Sequence, residues 1–225
     1  MRKASSFPIA FIGNTLMNKD NLHGLYAITD PELMGDDLIH KAQLAIEGGI
    51  NILQYRNKTA PFEQQESEAN TLSNLCKKNN VLFIINDNVE LAIKVNADGV
   101  HLGQKDMNIN QARQRLGENK IIGVTCNNKI DFALTAQQQG ANYVAFGRFF
   151  TSITKPDAPQ ADLSLLADAR KAITIPIVAI GGITHESAVS LLQEGANMLA
   201  VIQGLFGQED ILKSTQKFIK LFNRK

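Results

Sequence analysis

The sequence predicts a single-domain α/β protein built as a closed (β/α)8 TIM barrel. Eight short apolar runs rich in β-branched residues alternate with segments of helical spacing along the 225-residue chain. Nearly continuous apolar runs are typical of parallel strands buried on both faces. Eight of them exceed the five or six of most open doubly wound sheets, and the length is close to the roughly 250 residues of a typical barrel. We expect the barrel to occupy residues 23–225, after a variable N-terminal leader over residues 1–22.

The predicted elements follow one another at regular spacing. The strands are expected at 24–29, 50–55, 81–86, 99–103, 120–125, 143–147, 175–181 and 198–203. The helices are expected at 36–47, 62–79, 88–95, 108–117, 129–139, 162–172, 185–194 and 208–222. Four dipeptides, Gly48-Gly49, Asp98-Gly99, Gly140-Ala141 and Gly195-Ala196, stand between a helix and the next strand, where glycine is typical of a left-handed helix end. We assign them a structural role only.

Composition excludes several classes of partner. The formal net charge is +1, which gives no reason to expect binding to nucleic acid or to an anionic membrane. No run approaches the roughly 18 apolar residues that a transmembrane helix needs. The leader only weakly resembles a signal peptide, because Pro8 and Gly13 interrupt its apolar run. The two cysteines, Cys76 and Cys126, fit a reducing compartment, so we expect a cytoplasmic protein that acts on small molecules.

Charged side chains follow several of the predicted strands. In a barrel of this kind the active site lies at the carboxyl ends of the strands, where Arg56, Lys58 and Lys155 would meet Asp87 and Asp106. Two carboxylates are suitable ligands for Mg²⁺, and the cations would neutralise phosphate oxygens. Mg²⁺ and the three cations, less the two carboxylates, leave about three positive charges. A diphosphate ester carries about three negative charges, so the charges balance. The alternative is that Arg56–Asp87 and Lys58–Asp106 are only ion pairs that stabilise the rim.

Glycines after the last two strands indicate a second anion site. Gly181-Gly182 follows the seventh strand and Gly204 follows the eighth. These two loops and a short helix frequently bind phosphate in such barrels, and glycine lets backbone N–H groups approach the anion. Tight turns would also explain these glycines.

These segments together resemble the thiamine phosphate synthase family. The resemblance covers nearly all of residues 24–223. It is carried by GLYAITD (24–30), QYRNK (54–58), NDN (86–88), ADGVHLGQKD (97–106), GVT (123–125), SITK (152–155) and AIGGIT (179–184). It implies a Mg²⁺-dependent transferase of thiamine biosynthesis. Such an enzyme condenses 4-amino-2-methyl-5-(diphosphooxymethyl)pyrimidine with 4-methyl-5-(2-phosphoethyl)thiazole, plain or carboxylated, and releases pyrophosphate.

The resemblance also implies a role for particular positions. Catalysis would rest on Arg56, Lys58 and Lys155, and the metal on Asp87 and Asp106. The pyrimidine diphosphate would contact Gln54, Tyr55, Arg56, Asn57, Lys58, Asn86, Thr125 and Lys155. The thiazole phosphate would contact Ser152, Ile153, Thr154, Gly182, Ile202 and Gln203. Asn57, Asn88 and Thr151 depart from the residues usual in the family.

Two alternatives remain open at this point. One is the related thiazole tautomerase, which usually carries a histidine after the fifth strand, where Asn127 stands. The other is a non-catalytic barrel that binds thiamine precursors. His101, in the fourth strand, has no metal-ligand spacing to another histidine and is given a structural role. A homo-oligomer is possible, and its size is not predicted.

Overall fold

A computed structural model describes residues 22–151 and 159–223 of the chain. Within these residues eight parallel strands close into one barrel, and each strand pairs with its sequence neighbours until β8 returns to β1. The predicted (β/α)8 fold is therefore confirmed. The strands are β1 Gly24–Ile28, β2 Ile52–Tyr55, β3 Leu82–Asn86, β4 Gly99–Leu102, β5 Ile121–Asn127, β6 Tyr143–Phe146, β7 Ile177–Ile180 and β8 Met198–Val201.

Helices cover the outside of the barrel. They are α1 Pro31–Met34, α2 Leu38–Glu47, α3 Phe62–Lys78, α4 Val89–Lys94, α5 Ile109–Leu116, α6 Ile130–Gln138, α7 Ser164–Ala172, α8 His185–Gln193, α9 Gln203–Phe206 and α10 Ile211–Phe222. The eight predicted helices are all present in the described residues. The short helices α1 and α9 were not predicted. Helix α9 begins where strand β8 was expected to continue, because the backbone turns at Ile202.

Two separate apolar layers hold the barrel together. Outward-facing strand residues such as Leu53 and Val144 pack with the helices in one large buried cluster. Inward-facing residues, among them Ile52, Ile84 and Val178, form a second cluster inside the barrel. Leu22, the last residue assigned to the leader, is buried in this inner cluster. The alternation of sides along each strand thus decides which residues can reach the interior.

A side-chain clasp recurs at the amino-terminal end of every second strand. The residue just before each even-numbered strand accepts a hydrogen bond from a backbone N–H of the preceding odd-numbered strand, at 2.8–3.1 Å. The pairs are Asn51 with Leu25, Asp98 with Phe83, Asn142 with Ile122, and Asn197 with Ile177. At the amino-terminal ends of its strands, the barrel is therefore a fourfold repeat of two-strand units. The glycine dipeptides in the sequence indicated this repeat only in part.

The predicted glycine helix ends are correct at three of the four places. Gly49, Gly140 and Gly195 have positive φ values, as a left-handed turn requires. At the fourth place Asn96 takes that conformation, with φ of 48°. Gly99 lies inside β4 instead, against Ile121 of the neighbouring strand.

Other expectations can be compared with the described residues. None of the helices in these residues is both long enough and apolar enough to cross a membrane. Cys76 and Cys126 are both buried and free, in agreement with the expectation that the chain has no disulfide framework. Burial raises the pKa of the Cys126 thiol to about 12, so this group is inert at neutral pH.

We predict that Asn142→Ala lowers the free energy of unfolding by about 2 kcal/mol, because the buried N–H of Ile122 loses its acceptor. Arg113 also donates to the Asn142 amide oxygen, at 2.9 Å, and would lose that partner. Urea unfolding measures the change. The control is Asn70→Ala on the exposed side of α3, which should change stability by about 0.5 kcal/mol or less. Equal stabilities for the two variants would contradict a structural role for the clasp.

Candidate active site

A cavity of about 400 Å³ opens at the carboxyl ends of the strands. It brings together residues from five separate strand ends that the sequence placed there. The predicted site residues that line it are Gln54, Arg56, Lys58, Asn86, Asp87, Asp106, Thr125 and Ile202. Its inner wall on the side of β6 to β8 is apolar and built from small residues, Ala145, Val178 and Ala200. The mouth therefore combines a charged rim with a partly apolar floor, which suits a flat ring carrying an anionic group.

Strand β2 sends alternate residues to opposite sides. Gln54, Arg56 and Lys58 line the cavity. Tyr55 and Asn57, which were predicted with the pyrimidine ligands, do not, because both side chains turn outward and bond to Glu68 on α3 at 2.6 and 3.3 Å. The two-residue period of a strand thus separates a motif that the sequence presents as continuous.

Thr29 fixes the start of the β2 loop. Its buried hydroxyl accepts a hydrogen bond from the Arg56 backbone N–H at 2.8 Å and donates to the Arg56 carbonyl at 3.2 Å. Gln54 is tied to β1 as well, since its carbonyl accepts from the Thr29 N–H at 2.9 Å. The backbone that carries the Arg56 guanidinium is therefore held from the neighbouring strand.

Three charged groups meet on the β2–β4 side of the rim. Lys58 Nζ lies 2.6 Å from Asp87 Oδ2, and the Asp87 and Asp106 carboxyl groups are within hydrogen-bonding reach of each other. Lys58 thus pairs with Asp87 rather than with Asp106, and no ion pair joins Arg56 to Asp87 in the described residues. Asp106 Oδ2 also accepts from the Gly103 N–H at 2.7 Å. Two acids and one cation thus share a single small volume.

The two carboxyl groups titrate unequally. Burial disfavours ionisation of Asp87, but hydrogen bonds with Lys58 and with Asp106 outweigh it and hold its pKa below the ordinary value. Burial, together with the hydrogen bond to Asp87, raises the pKa of Asp106. The pair therefore concentrates negative charge on Asp87 and resists ionising Asp106 while no cation lies between them.

The donor set limits what kind of cation could bind here. The described residues contain no cluster of three or more His, Cys, Asp or Glu side chains able to hold a metal ion. Two adjacent carboxylates do not form an all-protein cage. They suit Mg²⁺, which retains waters and takes phosphate oxygens as further ligands. The residues present fit a metal that arrives with a phosphorylated ligand.

A second, smaller cavity of about 220 Å³ adjoins the first and shares Gly181, Ala200 and Ile202 with it. Gly182, Ile202 and Gln203, predicted to bind the thiazole phosphate, line this cavity. Gly182 has a φ of 62°, and a side chain there would strike the backbone of Thr151. The remaining residues predicted for this half of the site, Ser152, Ile153 and Thr154, lie outside the described residues, as does Lys155.

Several lining residues were not predicted. Arg148 comes directly after β6 and Lys105 lies between Gly103 and Asp106, so the rule of inspecting strand ends could have found both. Tyr26 and His101 line the floor from within β1 and β4, where only their inward direction marks them. His101 is 9% exposed and hydrogen-bonded at both ring nitrogens.

The structure shows the surroundings of Asn88, a departure from the family pattern, and of Asn127, where the tautomerase usually has a histidine. The Asn88 side chain accepts from the Leu91 N–H at 3.0 Å and caps α4, so it is occupied outside the cavity. Asn127 lines the cavity at the end of β5, with φ of 51° and a register shift between it and Thr125. Such irregularities re-aim side chains at functional sites.

Known proteins resemble this chain over most of its length. A family model described as thiamine monophosphate synthase matches residues 25–205. The thiamine-phosphate synthase of Alcanivorax borkumensis is 52% identical over 190 residues, which are 84% of this chain and 88% of the relative. That of Thioalkalivibrio sulfidiphilus is 44% identical over 205 residues, 90% of this chain and 97% of the relative. A solved thiamine phosphate pyrophosphorylase from Pyrococcus furiosus superimposes with a TM-score of 0.84 at 35% identity, covering 92% of this chain and 98% of that one.

We predict that Asp106→Asn raises the melting temperature of the ligand-free protein at pH 7 by about 1 °C or less, because Asp106 is exposed and solvent screens its charge. The raised pKa of Asp106 means that its ionisation destabilises the fold, so wild-type stability is lost as pH rises through the carboxyl range near 4. Asparagine removes the charge and keeps an oxygen for the Gly103 N–H. Thermal unfolding from pH 3 to pH 8 should show the two proteins converging at the acid end.

The matched control is Glu209→Gln, a change of the same kind on an exposed loop, which should leave the melting temperature unchanged. A lower melting temperature for Asp106→Asn at neutral pH would contradict the view that ionisation of Asp106 destabilises the folded protein.

Proposed function

The chain belongs to the thiamine monophosphate synthase family, and from this premise we propose that it joins a 4-aminopyrimidine methyl diphosphate to a thiazole phosphate. The products are thiamine phosphate and pyrophosphate. The observation that carries the proposal is the mouth itself, where two cations, Arg56 and Lys58, and a pair of carboxylates line one cavity with a partly apolar floor.

The bond changes need no protein nucleophile. The bond between the pyrimidine's exocyclic methylene carbon and the diphosphate oxygen breaks, and its electron pair leaves with pyrophosphate. The thiazole nitrogen supplies the pair for the new C–N bond and becomes the thiazolium nitrogen. No proton is gained or lost in this exchange. What the protein must supply is stabilisation of the leaving group and alignment of the two rings.

Arg56 and Lys58 are the described cations placed for the leaving group. Both line the cavity on the side of the carboxylate pair, and the Arg56 backbone is fixed by Thr29. Arginine can bind two phosphate oxygens at once, whereas lysine acts as a compact point charge. Lys155 completes the proposed set, and it lies outside the described residues. Charge that grows on the departing diphosphate is thereby met by fixed positive groups.

We propose Mg²⁺ as the metal of this site, held by Asp87 and Asp106. When bound it would supply additional positive charge to the diphosphate oxygens. Asp87 carries the more readily ionised carboxyl, and Lys58 holds it in place at 2.6 Å. Burial and the neighbouring Asp87 carboxyl raise the pKa of Asp106. A divalent cation bound by both carboxylates would offset the effect of Asp87.

The smaller cavity is proposed to hold the thiazole phosphate. Gly182, Ile202 and Gln203 line it, and the residues shared with the larger cavity place the two ligands side by side. Gly182 has a φ of 62°, and the absence of a side chain lets its backbone lie against that of Thr151 at the wall of this cavity. Adjacent cavities for the two substrates would bring the thiazole nitrogen to the pyrimidine methylene, so positioning contributes to the rate.

The alternative of a tautomerase is less well supported by the site. That reaction moves protons and needs an acid or base, and the related enzymes usually carry a histidine where Asn127 lines this cavity. Among the described residues that line the cavity, the one histidine is His101, and both of its ring nitrogens already have partners. A non-catalytic binding role is separated from synthesis by an assay. Cytoplasmic location and assembly into a homo-oligomer stay predictions from the sequence.

The function is tested by incubating the purified full chain with both substrates and Mg²⁺ while pyrophosphate is measured. Synthesis predicts one pyrophosphate and one thiamine phosphate for each pyrimidine consumed, and loss of both products when EDTA removes the metal. Conversion of the thiazole alone would indicate a tautomerase. Binding of both precursors without pyrophosphate would indicate a non-catalytic barrel. Undiminished turnover in EDTA would remove Mg²⁺ from the proposal.

We predict that Lys155→Ala lowers kcat about a hundredfold or more, since one of the charges that stabilise the leaving pyrophosphate is removed. Its melting temperature should stay near that of the wild type. The control is Lys171→Ala on α7, where an exposed lysine pairs with Asp168 in the same helix, and kcat should remain within about twofold. A turnover close to wild type for Lys155→Ala would exclude this residue from the leaving-group role.

A further inference from the structure

A continuous chain of hydrogen bonds crosses the barrel interior beneath the cavity. Gln54 Nε2 donates to Tyr26 Oη at 2.7 Å, and Tyr26 Oη lies 2.8 Å from Tyr143 Oη. Tyr143 Oη is 2.9 Å from His101 Nδ1, and His101 Nε2 is 2.8 Å from Thr125 Oγ1. The chain thus begins and ends at two residues predicted to contact the pyrimidine, and none of its three middle members was predicted to do so.

The chain is built into the core rather than left at its surface. Tyr26 and Tyr143 are 1% and 0% exposed and belong to the same inner cluster as Ile52, Ile84 and Val178. The Tyr143 ring reaches across because its neighbour in register is Gly123, where a Cβ would overlap the ring. It stacks on His101 at a centroid distance of 5.6 Å. In the described residues no buried side-chain nitrogen or oxygen lacks a partner, so the chain is fully satisfied.

Counting donors gives the chain a direction. Burial raises the pKa of both phenols well above the ordinary value, so both keep their protons at neutral pH. Tyr26 accepts from Gln54, so its own proton goes to Tyr143, and the proton of Tyr143 goes to His101 Nδ1. A neutral His101 imidazole that accepts at Nδ1 carries its proton on Nε2 and donates it to Thr125 Oγ1.

The two ends of the chain therefore present opposite groups to the cavity. The Thr125 hydroxyl has accepted a hydrogen bond and keeps its own proton to donate. The Gln54 amide has its nitrogen on Tyr26, which leaves its oxygen to accept. Reversing either end alone would leave two donors or two acceptors facing each other inside the barrel. Only the concerted reversal of all five groups restores the pairing, so the ends are set together.

We infer that Tyr26, Tyr143 and His101 are positioning residues that select a 4-aminopyrimidine by fixing Gln54 as acceptor and Thr125 as donor. The inference rests on the proposed function. An aminopyrimidine has an N–H donor next to a ring nitrogen acceptor, which matches these two groups. The 4-oxo analogue has an acceptor in place of the amino donor, so its oxygen would face the Gln54 oxygen, and its ring N–H would face the Thr125 proton unless that hydroxyl turns away. Sites that hydrogen-bond their substrate in this way reject mismatched analogues strongly, by about a hundredfold or more.

Tyr143→Phe tests the inference because it removes the link between Tyr26 and His101 and keeps the ring. Wild-type enzyme should prefer the amino to the 4-oxo pyrimidine diphosphate by about a hundredfold or more in kcat/KM. In Tyr143→Phe the two ends can reverse separately, so this ratio should fall at least tenfold. KM for the pyrimidine diphosphate should rise, while KM for the thiazole phosphate stays unchanged.

The matched control is Thr215→Val, which removes another fully buried hydroxyl, bonded to the Ile211 carbonyl in α10 and remote from the cavity. It should leave the selectivity ratio unchanged even where its melting temperature falls. If Tyr143→Phe does not fold, Thr125→Val and Thr125→Ser take its place. Valine should lose the selectivity and serine, which restores the hydroxyl, should keep it.

The outcomes separate this inference from the function on which it rests. A folded Tyr143→Phe with the wild-type ratio, or wild-type enzyme that turns over both analogues equally, overturns the inference and leaves synthesis standing. Absence of pyrophosphate release from the wild type with the amino substrate overturns the function. In that case, calorimetric titration with the two pyrimidine diphosphates still measures the selectivity. Equal affinities would then reject the positioning role as well.

Discussion

Closure of eight parallel strands into one barrel is the constraint from which the rest of the site follows. Parallel strands bring all their carboxyl ends to one rim, so residues far apart in sequence, such as Arg56 and Asp106, line the same cavity. At the opposite end, the repeated Asn and Asp clasps join neighbouring strands through hydrogen bonds. These strand-to-strand bonds do not use the side chains that line the cavity. The groups that stabilise the barrel in this way and the groups that line the cavity therefore lie at different ends of the molecule.

The rim holds charged side chains close together, and one of them, Asp106, has a raised pKa. Burial and the neighbouring Asp87 oppose the ionisation of Asp106 and raise its pKa, whereas Lys58 forms its ion pair with Asp87. Carboxyl groups with shifted pKa values are common at functional sites, where charged groups are placed close together. Beneath it, the buried chain from Gln54 to Thr125 is fully paired and rigid. The floor of the cavity is thus held by hydrogen bonds within the protein, whereas the proposed role of the rim is to bind the diphosphate and its metal.

Most of the fold could be predicted from the sequence because strand burial and helix periodicity are local patterns. The eight strands and eight of the helices lie where apolar spacing placed them, whereas α9 was missed because four residues carry no period. Side-chain direction was harder to predict. The QYRNK segment is continuous in sequence, but only three of its five residues reach the cavity. The partners of His101 come from the neighbouring strand β5 and from β6 beyond it, so only the assembled barrel shows which side chains it contacts.

The central claim is that cations and carboxylates from different strands bind a metal-bound diphosphate in one cavity. Calorimetric titration of pyrophosphate, with and without Mg²⁺, tests it without requiring turnover. The account predicts that Mg²⁺ strengthens pyrophosphate binding to the wild type, that Asp87→Asn removes this strengthening, and that Arg56→Ala weakens binding with or without the metal. Pyrophosphate binding that is indifferent to Mg²⁺ and to both substitutions would contradict it.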